Sequence, residues 1–337
     1  MPDKNVPKNW TPPYPSHMAE FAEPVTEIVV AYLAAQLRSG SAAEFHDWMR
    51  GSLAAPHAPG HVERASFIDA SSCRNEVYIC YWTDEEEYQS WAHSPAFTGW
   101  WDARARLAES VGYWREVIVA PLRRLETLFS SQDAAGMARL APQFSNEVRE
   151  HGYWGSMRDR IPDAGVDGLT SAFGAALVAL DKVDSMGKRL SVTPPENICL
   201  IRSAQNWSDC RGEELAIYRD NVLPVLLAGM NFIRDNPIET GCISCRFMDE
   251  QNADGGVQSR SFGMAWFLTL GHLEAWAKSH PTHLAIFRSF HEMVRKLNFQ
   301  LDLKLWHEVI VLPAGSHVFE YVNCHPGTGL LPYFEPG

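Results

Sequence analysis

The chain has 337 residues, 46% hydrophobic and 21% charged, with twelve Trp and sixteen Phe. That is enough apolar side chain for one large domain or two ordinary ones around a thick core. A formal net charge of −12, with no basic run to offset it, argues against a nucleic-acid surface or an anionic membrane as partner.

In chain order, residues 1–26 read as a polar N-terminal arm, with five prolines in the first fifteen residues and no apolar core of a signal peptide. A strand is expected over Glu27–Gln36 (EIVVAYLAAQ), a helix around Ala42–Leu53, and a strand ending near Phe67-Ile-Asp69. A further strand follows over Val77–Trp82, then a helix from Glu86 to Pro95 and a strand over Trp114–Pro121. Residues 122–195 match none of this. They include Leu-Glu126-Thr-Leu-Phe129 and the polar, glycine-containing run Val148–Arg160. An insertion of this length that is not low in complexity is more often functional than idle.

From residue 196 the first pattern returns. Glu196–Gln205 aligns without gaps on Glu27–Gln36, and a helix is expected over Cys210–Ile233, with apolar Leu215, Tyr218, Val222, Leu226 and Met230 on one face. Phe247-Met-Asp249 matches Phe67-Ile-Asp69, and Phe262–Phe267 matches Val77–Trp82. The helical Leu273–Pro281 matches the helix ending at Pro95, and Trp306–Pro313 matches Trp114–Pro121. Each copy reads strand, helix, strand, strand, helix, strand, which is the ferredoxin-like split βαβ order. Each copy also leaves one sheet face to be covered, and two such sheets face to face make a barrel. The fold class expected is α+β, with tandem ferredoxin-like halves at 27–121 and 196–313. Residues 122–195 form an inserted connecting segment that contributes to the site, and 314–337 a C-terminal segment.

No run approaches the about eighteen apolar residues of a membrane span. The seven cysteines, at 73, 80, 199, 210, 242, 245 and 324, fit a reducing cytoplasm better than a disulfide framework. Cys242 and Cys245 form a CxxC. It has no second ligand pair for a metal, and Arg246 stands where covalent haem attachment needs His, so two ordinary thiols are expected.

The contrast between the copies points to one site on the second. Arg115 becomes His307, Ala34 becomes Ser203, and Ser94-Pro-Ala-Phe97 becomes Ser279-His-Pro-Thr-His283. His283 falls in the first turn of a helix whose face continues with Phe287, Phe290 and His291. Such an imidazole suits either an axial ligand to haem iron or a helix cap, and His280 is its neighbouring rival. His307 shares a strand face with Leu305, Val309 and Val311; it is either a core histidine or a proton carrier in a cavity. Ser203 offers a hydroxyl for a polar substrate or for the backbone, and no G-x-S-x-G marks it as a nucleophile. Arg158 and Arg160 lie in the dense Gly-Tyr-Trp-Gly setting, and Glu126 is a possible partner for such an arginine.

Five segments carry a resemblance over about Tyr14–Tyr333: Glu150–Arg160, Leu200-Ile-Arg-Ser203, Ala277–His283, Trp306-His-Glu-Val309 and Phe319–Pro326. In these the chain resembles the haem-containing aldoxime dehydratases, both phenylacetaldoxime and aliphatic. The resemblance implies a dimeric α+β-barrel-type haem protein, a homodimer, with His283 as the proximal ligand of haem b and His307 as the distal catalytic histidine. It also implies that Ser203 hydrogen-bonds the oxime hydroxyl, that Arg160 positions that hydroxyl and His307, and that Glu126 supports the distal network. The pattern is weakest over 161–190. The implied function is conversion of R–CH=N–OH to nitrile and water at ferrous haem, with the oxime nitrogen on the iron and His307 as acid and then base. A peroxidase- or chlorite-dismutase-like enzyme, a haem carrier and a cofactor-free monooxygenase are the rivals. The His307/Ser203 pair speaks against the first two, and colour in the purified protein would separate the third.

Overall fold

The computed structural model describes residues 5–171, 176–181, 183–315 and 317–337. After the short strand β1 (Ala19–Glu20), the first half runs β2 (Glu27–Leu37), α1 (Ala43–Leu53), β3 (His61–Ile68) and β4 (Arg74–Trp82). It then continues through α2 (Glu85–Ala92), α3 (Pro95–Trp101) and β5 (Val111–Pro121). The connecting segment holds β6 (Leu125–Phe129), β7 (Gln143–Phe144), α4 (Ser156–Arg160) and β8 (Arg189–Val192). The second half runs β9 (Cys199–Asn206), α5 (Gly212–Ile217), α6 (Leu223–Asp235), α7 (Pro237–Thr240), β10 (Cys242–Gln251) and β11 (Val257–Phe267). It closes with α8 (Leu270–Ser279), α9 (Pro281–Lys296) and β12 (Lys304–Val311), and β13 (Val318–Val322) follows. Among the described residues no helix is long and apolar enough to cross a membrane.

Local chemistry sets the helix starts. The Asp84, Ser94 and Thr269 side chains accept backbone N–H groups at the first turns of α2, α3 and α8, satisfying donors that a helix start leaves unpaired. The helix expected over Cys210–Ile233 is interrupted by a π turn at Tyr218–Val222. Pro224 has no N–H for the Asp220 carbonyl, so the backbone ladder widens there. The helix expected to run through Pro281 ends at Ser279, and Pro281 begins α9 instead, at the one helical position where proline is favoured.

β1 and β7 pair in a small sheet of their own, and the other strands form one antiparallel sheet in the order β6-β12-β9-β11-β10-β3-β4-β2-β5-β13-β8. Each half alone has its four strands in the same relative order, and the halves meet where β3 pairs with β10 at Ser66↔Asp249 and Ala65↔Glu250. Alternate residues of each half point to opposite faces. Val29, Ala31 and Leu33 pack with Phe45, Trp48 and Trp91 of the covering helices, and Val309, Val311 and Phe267 pack with Leu273 and Trp276. The other faces, with Ile28, Val30, Tyr81 and Trp114 from one half and Leu200, Phe262, Trp266 and Ile310 from the other, share a single core. The sheets therefore pack against each other inside, with helices outside.

Strand register corrects two of the sequence matches. Arg115, Leu33, Tyr78 and Arg64 form one row across β5, β2, β4 and β3. The corresponding row across β12, β9, β11 and β10 is His307, Ser203, Gly263 and Phe247. Ser203 thus corresponds to Leu33, not Ala34, and the gap-free alignment is one residue out of step. Ala34 faces the shared core, whereas a slip of one residue turns every side chain to the other face. Phe247 likewise corresponds to Arg64, and its match to Phe67 is coincidental.

Candidate active site

The helix-side row is where the halves differ most. In the first half Leu33 and Tyr78 fill it and pack with Phe45 of α1. In the second half the middle of the row is a hydroxymethyl and a hydrogen, Ser203 and Gly263. A Cβ at Gly263 would stand 2.3 Å from the Met230 terminal methyl of α6, so the sheet at this row comes as close to α6 as a glycine permits.

The connecting segment delivers the polar groups around His307. β6 adds to the edge of β12, with Glu126 opposite Val309 and Leu128 opposite His307. Glu126 is fully buried. Its carboxylate receives Arg160 Nε at 2.8 Å and Arg160 Nη2 at 2.9 Å, a bidentate clamp. His307 Nε2 lies 2.8 Å from Glu126 Oε1 and 3.2 Å from Arg160 Nη2. Arg160 Nη1 donates to the Glu150 carbonyl at 2.5 Å. Burial alone would raise the Glu126 carboxyl, but the Arg160 guanidinium and the His307 ring bring it down to about 2. It is therefore an anion facing a half-buried imidazole. Arg158, by contrast, forms an ion pair with Glu274 of α8 at 2.8 Å and anchors α4 to the second half.

His283 and His280 separate cleanly. His280 caps α9: Nδ1 accepts the Thr282 N–H and lies 2.8 Å from Thr282 Oγ1, while Nε2 lies 3.2 Å from Glu239 Oε1. Both of its nitrogens are committed. The His283 ring meets Trp276 edge-on at 4.7 Å and Trp154 at 6.2 Å, and its Nδ1 is buried. Burial lowers its pKa to about 4, against the pull of the Ala277 carbonyl, so the ring is neutral at neutral pH with a lone pair to offer. Trp154 and Phe287, 5.6 Å apart, are 42% and 45% exposed, an apolar surface beside this imidazole.

Several participants were not singled out from sequence. Gly263 becomes visible only once the rows are in register. His151 is buried with both ring nitrogens unpartnered and packs at 5.1 Å on Tyr14. Burial and the Arg160 charge keep its pKa low; its place in the Glu150–Arg160 run was the available signal. Cys242 and Cys245 are buried free thiols. The segment 161–190 falls partly outside the described residues.

A family model described as haem-containing dehydratase matches residues 31–330. Phenylacetaldoxime dehydratase of Bacillus sp. (strain OxB-1) is 40% identical over 335 residues, covering 98% of this chain and 95% of that one. Aliphatic aldoxime dehydratase of Pseudomonas chlororaphis is 38% identical over 333 residues, covering 97% and 93%. A crystal structure of an aldoxime dehydratase in complex with butyraldoxime superposes with a TM-score of 0.90 at 34% identity, covering 98% of this chain and 92% of that one.

Proposed function

The chain belongs to the haem-containing dehydratase family, and from that premise we propose that it dehydrates aldoximes to nitriles at haem b held by His283. The residues present fit such a group. His283 offers a neutral nitrogen donor, and the apolar Trp154 and Phe287 surface flanks it. When bound, ferrous haem supplies an electron-rich iron at which the oxime nitrogen is held and the N–O bond weakened.

The remaining chemistry falls to the chain. Breaking N–O turns hydroxide, a poor leaving group, into water only if a proton arrives as the bond parts. Glu126 stabilises protonated His307 through Nε2 in the way a buried carboxylate serves a catalytic histidine. With Nε2 committed to Glu126, Nδ1 gives its proton to the departing oxygen and then takes one from the aldoxime carbon. Atoms balance: R–CH=N–OH yields R–C≡N and H2O, and His307 ends as it began. Ser203, beside His307 on the next strand, holds the hydroxyl in line. Arg160 acts through Glu126 and His307, since its guanidinium hydrogen-bonds Glu126 and the Glu150 carbonyl and lies against His307 Nε2.

The observation that carries this reading is the buried Glu126–Arg160–His307 constellation one strand from Ser203. The axial assignment is tested by His283→Ala. The variant should fold and lose the Soret band; full haem content in that variant would overturn the assignment.

A further inference from the structure

Arg202 and Glu308 stand next to Ser203 and His307 in the two strands, yet the mechanism uses neither. They are cross-strand partners, one row along, and they face the shared core between the sheets. Arg202 is wholly buried. Its Nη1 donates to the Tyr81 hydroxyl at 2.6 Å and forms an ion pair with Glu63 at 2.6 Å, and Nη2 reaches Glu250 at 3.4 Å. Its guanidinium lies 4.0 Å from the Phe262 ring and 4.8 Å from that of Trp306. The Tyr81 hydroxyl lies 3.4 Å from Glu308 Oε2, whose other oxygen accepts the Met137 N–H. Arg202 thereby connects β3, β4 and β10 to the back of the two strands that carry Ser203 and His307.

The first half provides an internal control. The corresponding row is Tyr32↔Glu116. There Glu116 takes a single bidentate arginine, Arg246, with Trp266 and Tyr321 completing its hydrogen bonds, a one-to-one pairing. Around Arg202 three carboxylates surround one guanidinium. Burial raises Glu250 and Glu308 to about 7, while Arg202 holds Glu63 below the usual range despite its burial. Stability does not require such a cluster, because well-packed apolar side chains do as well or better than buried ion pairs. What a planar guanidinium adds is direction: its fork fixes the strand that carries it.

We infer that Arg202, through Tyr81 and Glu308, is a positioning residue that sets the Ser203–His307 row against the Glu126–Arg160 clamp. The inference rests on the aldoxime reading above for its catalytic consequence. Its test is a double-mutant cycle of Arg202→Lys with Ser203→Ala, alongside an NMR titration of His307. Arg202→Lys should keep haem and lower kcat about tenfold with KM within about twofold, the cost of a small misplacement. In the Ser203→Ala background the loss should shrink below about twofold, and the His307 titration should move because its distance to Glu126 changes. Tyr81→Phe, which removes one bridging hydroxyl and leaves the fold intact, should reproduce the pattern at smaller size. Equal losses in both backgrounds with an unmoved His307 titration would overturn the assignment. If the unaltered protein turned over no aldoxime, the functional reading would fail by itself, and the His307 titration would still decide the role of Arg202.

Discussion

Glu126 is the residue on which the polar half of the site depends. Moving a carboxyl from its usual 4.5 to about 2 is worth about 3 kcal/mol of folded-state stability. The sign follows from the depressed value: the contribution is complete above about pH 4.5 and is lost as pH falls through about 2. Glu126→Gln should therefore flatten the acid limb of stability over that window, read as urea midpoints across pH. It should also cost roughly 10²–10⁴-fold in kcat, because His307 loses the anion that stabilises its protonated form. A variant with near-normal kcat would remove Glu126 from the mechanism. The pairing of Glu126 with an arginine of the connecting segment was legible in sequence. His280 and His283 look alike by spacing, as neighbouring histidines in one helix start; it is the hydrogen bonds of His280 that set the two apart.

At the scale of elements, the second half brings its helix α6 onto the sheet where the first half interposes a tyrosine side chain. Gly263 meets Met230 where Tyr78 meets α1. Gly263→Val should push α6 from the sheet, costing about 1–3 kcal/mol, and should lower haem retention. Met230→Ala should restore part of both, measured by thermal unfolding and the Soret absorbance per protein; an unchanged Gly263→Val variant would contradict this. The elements themselves were readable because the strands are apolar runs and several helices carry a start signal, as Asp84, Ser94 and Thr269 do. Register was not. The runs Glu27–Gln36 and Glu196–Gln205 look alike in either of two offsets, because apolar residues occupy both faces of these buried strands. Only the neighbouring strand shows that Leu33 answers to Ser203.

Over the whole molecule, the repeat explains why the site has one copy. Both halves use the same order of strands and helices, so the fold alone requires neither His307 nor Ser203. The connecting segment makes the difference: β6 leaves the first half after β5 and pairs with β12 of the second, carrying Glu126 to the strand of His307, and α4 follows with Arg160. The site is thus assembled from the second sheet, its helix α9 and a segment that belongs to neither repeat. This predicts that haem binding and dehydration are separable by residue. The most direct test is nitrile formation by the dithionite-reduced, haem-loaded protein with butyraldoxime, compared with His307→Ala. The account predicts an unchanged Soret band in the variant and a nitrile yield rate lower by roughly 10²–10⁴-fold. Equal rates from the two proteins would contradict it.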